Sequence, residues 1–93
     1  MITVNDIPVQ SQGFIIRKLG EETILISENG KNMHTLDEIG GFIWENIDGK
    51  NSISSITERI CDEYDVNRSI AEKDILEFIE KLIEKELILI KNK

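Results

Sequence analysis

The stretch Phe14–Gly49, FIIRKLGEETILISENGKNMHTLDEIGGFIWENIDG, decides the fold. Its first half has strand patterning and its second half has helical spacing. Phe14–Leu19 reads as a strand, Gly20-Glu21-Glu22 as a turn, and Thr23–Ser27 as a second strand rich in β-branched residues. Asn29-Gly30 suits a two-residue type I′ hairpin, because both positions must tolerate positive φ. Lys31–Leu36 then returns as a third strand. A two-residue loop places Met33 opposite Ile26 and His34 opposite Leu25. The expected result is a three-stranded antiparallel meander.

Helices follow. Thr35-Leu36-Asp37-Glu38 offers a capping box with Thr35 as N-cap, and Asp37 is an alternative cap. Ile39, Phe42, Ile43, Trp44 and Ile47 recur at helical spacing. Gly40 and Gly41 cost helix propensity, so their presence in one early turn points to close approach of another backbone, most simply the sheet. Asp48-Gly49 ends this helix, with Gly49 at the left-handed C′ position. Ser52 caps a second helix with Ile53, Ile56, Ile60 and Tyr64 inward. Asp65–Arg68 is a turn, and Ser69-Ile70-Ala71-Glu72 is a second capping box opening the longest helix. Its apolar residues, from Ile70 to Ile83, span an arc of roughly 160° at 100° per residue. That is wider than one core-facing stripe needs, which leaves part of it for another contact.

Upstream, Met1–Gln12 alternates weakly around Pro8 and reads as an edge strand or a loose arm. Downstream, Leu87-Ile88-Leu89-Ile90 either finishes the helix or forms a closing strand. Residues 1–93 thus read as one small α+β domain of winged-helix type, a three-stranded antiparallel sheet followed by three helices.

Composition narrows the function. With 93 residues there is enough chain for one small core and not for two. No apolar run approaches a membrane span, and no signal peptide is evident at the N-terminus. The lone cysteine, Cys61, forms no internal disulfide and fits a small buried hydrophobe, so a reducing cytoplasm is the expected compartment. His34 has no identifiable Ser or Cys partner, and there is no P-loop, GxGxxG or HExxH. We therefore expect no catalysis, cofactor or metal.

Eighteen acids oppose eleven bases, a net charge of −7. A winged helix that read DNA would carry Arg or Lys on its recognition helix. Here Lys73, Lys81 and Lys85 face Glu72, Asp74, Glu77, Glu80, Glu84 and Glu86, six acids against three bases. Direct DNA binding is not expected. A peptide fits better: a meander leaves strand edges open, and an open third strand beside the long helix makes a groove to which an extended peptide adds a strand.

Several short motifs in order carry a family resemblance. Leu36-Asp37-Glu38-Ile39-Gly40-Gly41-Phe42-Ile43-Trp44, Asp48-Gly49, Ser52-Ile53 with Ile56, Tyr64-Asp65-Val66, Asp74-Ile75, Phe78-Ile79, Leu82 and Leu87-Ile88 together resemble the PqqD family of leader-peptide recognition elements. Ser55 stands where that family often has Glu, and Glu86 where Gly often precedes the final Leu-Ile. The resemblance implies a non-catalytic module that binds the leader of a ribosomally made precursor peptide between third strand and third helix. It also implies a partner modifying enzyme, such as a radical SAM enzyme or a leader peptidase. By position, the strand side of the site is Lys31, Asn32, Met33, His34 and Thr35. The helix side is Asp74, Ile75, Phe78, Lys81 and Leu82, with Leu76 and Ile83 as the rival lip. A scaffold that only tethers an enzyme is the alternative role. The oligomeric state stays open between monomer and dimer, since an exposed edge can pair two copies.

Overall fold

The computed structural model describes residues 2–91. The elements are β1 (Pro8–Gln10), β2 (Phe14–Leu19), β3 (Glu22–Ser27), β4 (Met33–Leu36), α1 (Glu38–Glu45), α2 (Ile53–Tyr64), α3 (Arg68–Glu84) and β5 (Ile88–Ile90). Strands β2, β3 and β4 form an antiparallel sheet in that order, and β1 pairs with β5 in a separate two-stranded ribbon. The three-stranded sheet followed by three helices is the α+β, winged-helix-like arrangement that the patterning predicts.

Alternation orients the sheet. Thr23 and Leu25 of β3 are buried beneath the helices, while Ile15 of β2 and Met33 of β4 stand exposed on the other face. The core beneath joins Leu25 to Trp44 and Ile47, to Ile53 and Ile56 of α2, and to Ile79 of α3. Gly41 permits α1 to sit this close to the sheet: a Cβ there would lie 2.6 Å from Thr23 Oγ1, a threonine side chain rather than the expected backbone. Gly40 faces α3 instead, where a Cβ would meet the Phe78 ring at 3.4 Å.

Register and turn chemistry separate in the second hairpin. Ile26 pairs with Met33 and Leu25 with His34, as the centred Asn-Gly predicts. The turn itself is wider than a two-residue type I′ loop. Gly30 takes φ 72, but Asn29 has no positive φ. The Gly30 N–H donates to Ser27 O at 2.8 Å, and Asn29 Oδ1 accepts from the Ser27 hydroxyl at 2.6 Å and the Lys31 N–H at 2.9 Å. These local side-chain bonds compete with the tighter turn. They also keep Lys31 and Asn32 out of β4, which begins at Met33.

Two helix ends differ from expectation, and a third takes the alternative cap. Asp37, not Thr35, caps α1 by accepting the Gly40 N–H at 2.7 Å, because Thr35 remains paired with Ile24 in the sheet. Helix α1 stops at Glu45, short of Gly49. Gly49, at φ 78, instead turns the chain against β1, donating its N–H to Pro8 O at 3.1 Å. Asp48 tightens that turn by accepting the Lys50 and Asn51 N–H groups, and these backbone donors, Asn51 first, hold its carboxyl below the usual carboxylate value. Helix α3 begins at Arg68 with Asn67 as N-cap, so the Ser69 box lies inside the helix.

Both chain ends have structural work. Of the stretch read as an edge strand or a loose arm, Pro8–Gln10 is a strand, paired with β5 and not with the meander, and the described residues before it are tied to α2. The Asp6 and Val4 carbonyls accept the Ile53 and Ser54 N–H groups at 3.0 and 2.8 Å, satisfying donors that the first turn of α2 leaves open. The C-terminal apolar run is a closing strand, β5, paired Pro8↔Ile90 to Gln10↔Ile88. The ribbon thus binds the ends to each other and leaves both edges of the β2-β3-β4 sheet without a partner strand among the described residues. The last two residues of the basic tail lie outside the described residues.

Candidate functional site

The outer edge of β4 is where backbone groups are available. Ser27 N–H donates to Asn32 O at 2.9 Å. Hydrogen-bonded pairs alternate in an antiparallel ladder, so His34 and Leu36 bond to β3 while the N–H and C=O of Met33 and Thr35 point away from the sheet. Met33 is 66% exposed and Thr35 is exposed, so this edge is open to solvent.

Helix α3 stands beside that edge as a wall. A groove of about 350 Å³ is lined by Met33, His34, Thr35 and Leu36 from β4, by Phe78, Lys81 and Leu82 from α3, by Lys85 at that helix's C-cap, and by Leu87. It continues past Phe78 into a more apolar pocket of about 530 Å³, which adds Asp37, Ile39, Gly40 and Ile43 at the start of α1 and Ile70, Asp74 and Ile75 on α3. Ile60, Val66 and Ala71 complete that pocket. Ile39, Val66 and Ile70 are exposed at its mouth, Ile70 by 61%. Thr35, Leu36 and Phe78 belong to both cavities, so the two form one continuous trough.

The wall is set by the amphipathic pattern of α3. Ala71, Ile75, Ile79 and Leu82 face the core. Phe78, half-buried, leans from that stripe toward β4, while Leu76 and Ile83 pack against the core and line neither cavity. Of the residues singled out by sequence, Met33, His34, Thr35, Phe78, Lys81 and Leu82 line the groove, and Asp74 and Ile75 line the adjoining pocket. Lys31 and Asn32 lie in the hairpin loop, outside both linings. Sequence reading omitted Leu36, Lys85 and Leu87 from the groove and the whole α1 side of the pocket. The signal for Lys85 was present, four residues after Lys81 and hence on the same helix face.

The two sides of the trough differ in chemistry. Backbone donors and acceptors run along one side and apolar side chains along the other. No group of three or more His, Cys, Asp or Glu able to hold a metal occurs among the described residues, and no described helix is long and apolar enough to cross a membrane.

Comparisons with known proteins agree with this geometry. The fold matches "TbiB1 in Complex with the TbiA(beta) Leader Peptide" with TM-score 0.80 and 26% identity, over 91% of this chain and 99% of that one. It also matches "Lasso peptide synthetase B1 complexed with the leader peptide" with TM-score 0.79 and 18% identity, over 89% and 98% of the two chains, a likeness of fold. A search of curated protein sequences finds no match. The family model for coenzyme PQQ synthesis protein D (PqqD) matches residues 22–88, from the start of β3 to the start of β5, and the chain therefore belongs to the PqqD family.

Proposed function

We propose that this chain is a leader-peptide-binding module, acting as a single domain over 1–93 in a reducing cytoplasm. It holds the leader of a ribosomally made precursor as an added strand between β4 and α3. The precursor is thereby presented to a modifying enzyme or leader peptidase, and the module supplies no catalysis of its own. The observation that carries the reading is the open β4 edge, with Met33 and Thr35 backbone groups unpaired, facing Phe78 and Leu82 across the groove. The complexes named for the two similar structures contain a leader peptide, which supports the same role here.

In this reading Met33, His34 and Thr35 supply the strand partner, and Ile75, Phe78 and Leu82 the apolar seats. Lys31 and Asn32 border the strand's entry, and Asp74 and Lys81 the rims. Lys81 contributes about 0–1 kcal/mol to a carboxylate, as exposed pairs do.

An amide NMR titration tests it, using labelled protein and the leader half of a short open reading frame beside this gene. Saturable shifts concentrated in Met33–Leu36 and Asp74–Leu82 are expected. Folded protein that binds the neighbouring enzyme but shows no leader-induced shifts would favour the tethering scaffold instead.

A further inference from the structure

We propose that the trough reads its peptide directionally: it selects a segment with a large apolar residue preceded by a basic residue, and an acidic residue about three to five positions after the apolar one. This rests on the leader-binding reading above.

The two ends of the trough differ in charge. Asp37 and Asp74 border the apolar pocket at the C-terminal end of β4. Lys81 and Lys85 line the groove at the other end, beside Met33 and His34, with Lys31 in the adjacent hairpin loop. None of the glutamates of α3 lines either cavity. The ion pairs among the described residues are Lys18–Glu45 and Arg68–Glu58, so Asp74, Lys81 and Lys85 keep their charges uncommitted.

Strand direction converts this into sequence order. A strand that continues the antiparallel order of β2, β3 and β4 runs opposite to β4 and therefore along α3 from Asp74 toward Lys85. The antiparallel ladder is also the more stable pairing per residue. Peptide residues opposite Met33 and Thr35 bond to the edge and point to the outer sheet face; those opposite Leu36 and His34 point toward α3. The residue facing Leu36 thus enters the apolar pocket, the one two positions later meets Phe78 and Leu82, and the next inward one reaches the lysines. Helical rise from Asp74 to Lys81 and Lys85 gives about 10–16 Å, which an extended chain covers in about three to five residues.

Two synthetic peptides of identical composition and zero net side-chain charge test the order: SKTFTLTES and SETFTLTKS, capped at both ends. Each is titrated into labelled full-length protein at low salt, and affinity is read from the β4 and α3 amide shifts. The first should bind about tenfold more tightly, as exposed pairs exchange attraction for repulsion. The preference should shrink in high salt and vanish in the double variant Lys81→Glu, Lys85→Glu, which leaves both ends of the trough acidic. Equal affinities with β4 shifts present would overturn the directional proposal while leaving strand addition standing. Amides unmoved by either peptide at millimolar concentration, in protein still folded, would overturn the leader-binding reading and this proposal with it.

Discussion

The sheet has two open edges, and only one of them adjoins a cavity. β4 and β2 both expose unpaired backbone groups to solvent. Beside β4 stands α3, with Phe78 and Leu82 facing the strand across a groove. Beside β2 neither cavity has any lining residue. The strands also differ in chemistry. β2 carries Arg17 and Lys18 near its middle, and Lys18 reaches Glu45 at 2.9 Å. Charged side chains on an edge discourage strand addition. β4, Met33-His34-Thr35-Leu36, carries no lysine or acid. Both edges therefore offer hydrogen bonds, but only β4 combines its open edge with a wall and with the lack of a charged guard.

The sharpest way to break this comparison is to remove one outward N–H from each edge. In β2 the Leu19↔Glu22 pair closes the first hairpin, so the alternation turns the Lys18 N–H away from β3, as it does for Thr35 in β4. Proline is tolerated at such edge positions because no ladder bond is lost. Thr35→Pro should leave the protein folded and weaken leader binding by about a hundredfold, since the ring blocks the added strand as well as the bond. Lys18→Pro should leave the dissociation constant within about twofold. Calorimetric titration of both variants with the same leader measures the contrast. Equal losses would mean that β2 takes part in binding.

A smaller effect tests the wall. Phe78 lines both cavities, whereas Lys81 is an exposed lining residue of the groove alone. Phe78→Ala should cost about ten- to thirtyfold in affinity, and Lys81→Ala about two- to fivefold. Because Phe78 is half-buried, its removal also costs part of the ~3–5 kcal/mol that a fully buried ring loses. Circular dichroism on each variant separates lost folding from lost contact. A larger loss at Lys81 would move the grip from the apolar seat to the charged rim.

Much of this contrast is legible in the sequence, where the information is local. The register Ile26↔Met33 follows from Asn29-Gly30 as the centre of the hairpin, and it survives although the turn is wider than two residues. The turn type is not legible, because the Asn29 side chain bonds to Ser27 and Lys31 instead of tolerating the tighter loop. Gly40 and Gly41 signal a close approach, but the neighbours they meet, Phe78 and Thr23, are fixed only by packing. The pairing of β1 with β5 joins residues about eighty positions apart in a run too short to show a period, so the ends read equally well as arm and helix. The pocket beyond Phe78 was missed for the same reason: its lining comes from β4, all three helices and the turn at Val66.

The smallest effect concerns how α3 ends, and it keeps the wall while changing its foundation. Sequence comparison with the family marks Glu86 as a departure from glycine, which raises the question of whether the helix ends differently. It does not. Glu86 sits at φ 61 in the left-handed region, its N–H donates to Ile83 O at 2.9 Å, and the Leu87 N–H donates to Leu82 O at 2.9 Å. Those two bonds are the Schellman arrangement, with Glu86 in the position usually held by glycine. The buried Leu82 and Leu87 supply the apolar pressure that holds it there. A side chain in this conformation costs roughly 1–2 kcal/mol relative to its preferred regions. Glycine avoids that cost but surrenders more chain entropy on folding. Glu86→Gly should therefore stabilise the protein by about 1 kcal/mol in urea denaturation, with leader affinity unchanged because Glu86 lines neither cavity. A gain in stability accompanied by tighter binding would show that the end of α3 frays when the groove is empty, and that part of the wall is assembled only when the peptide arrives.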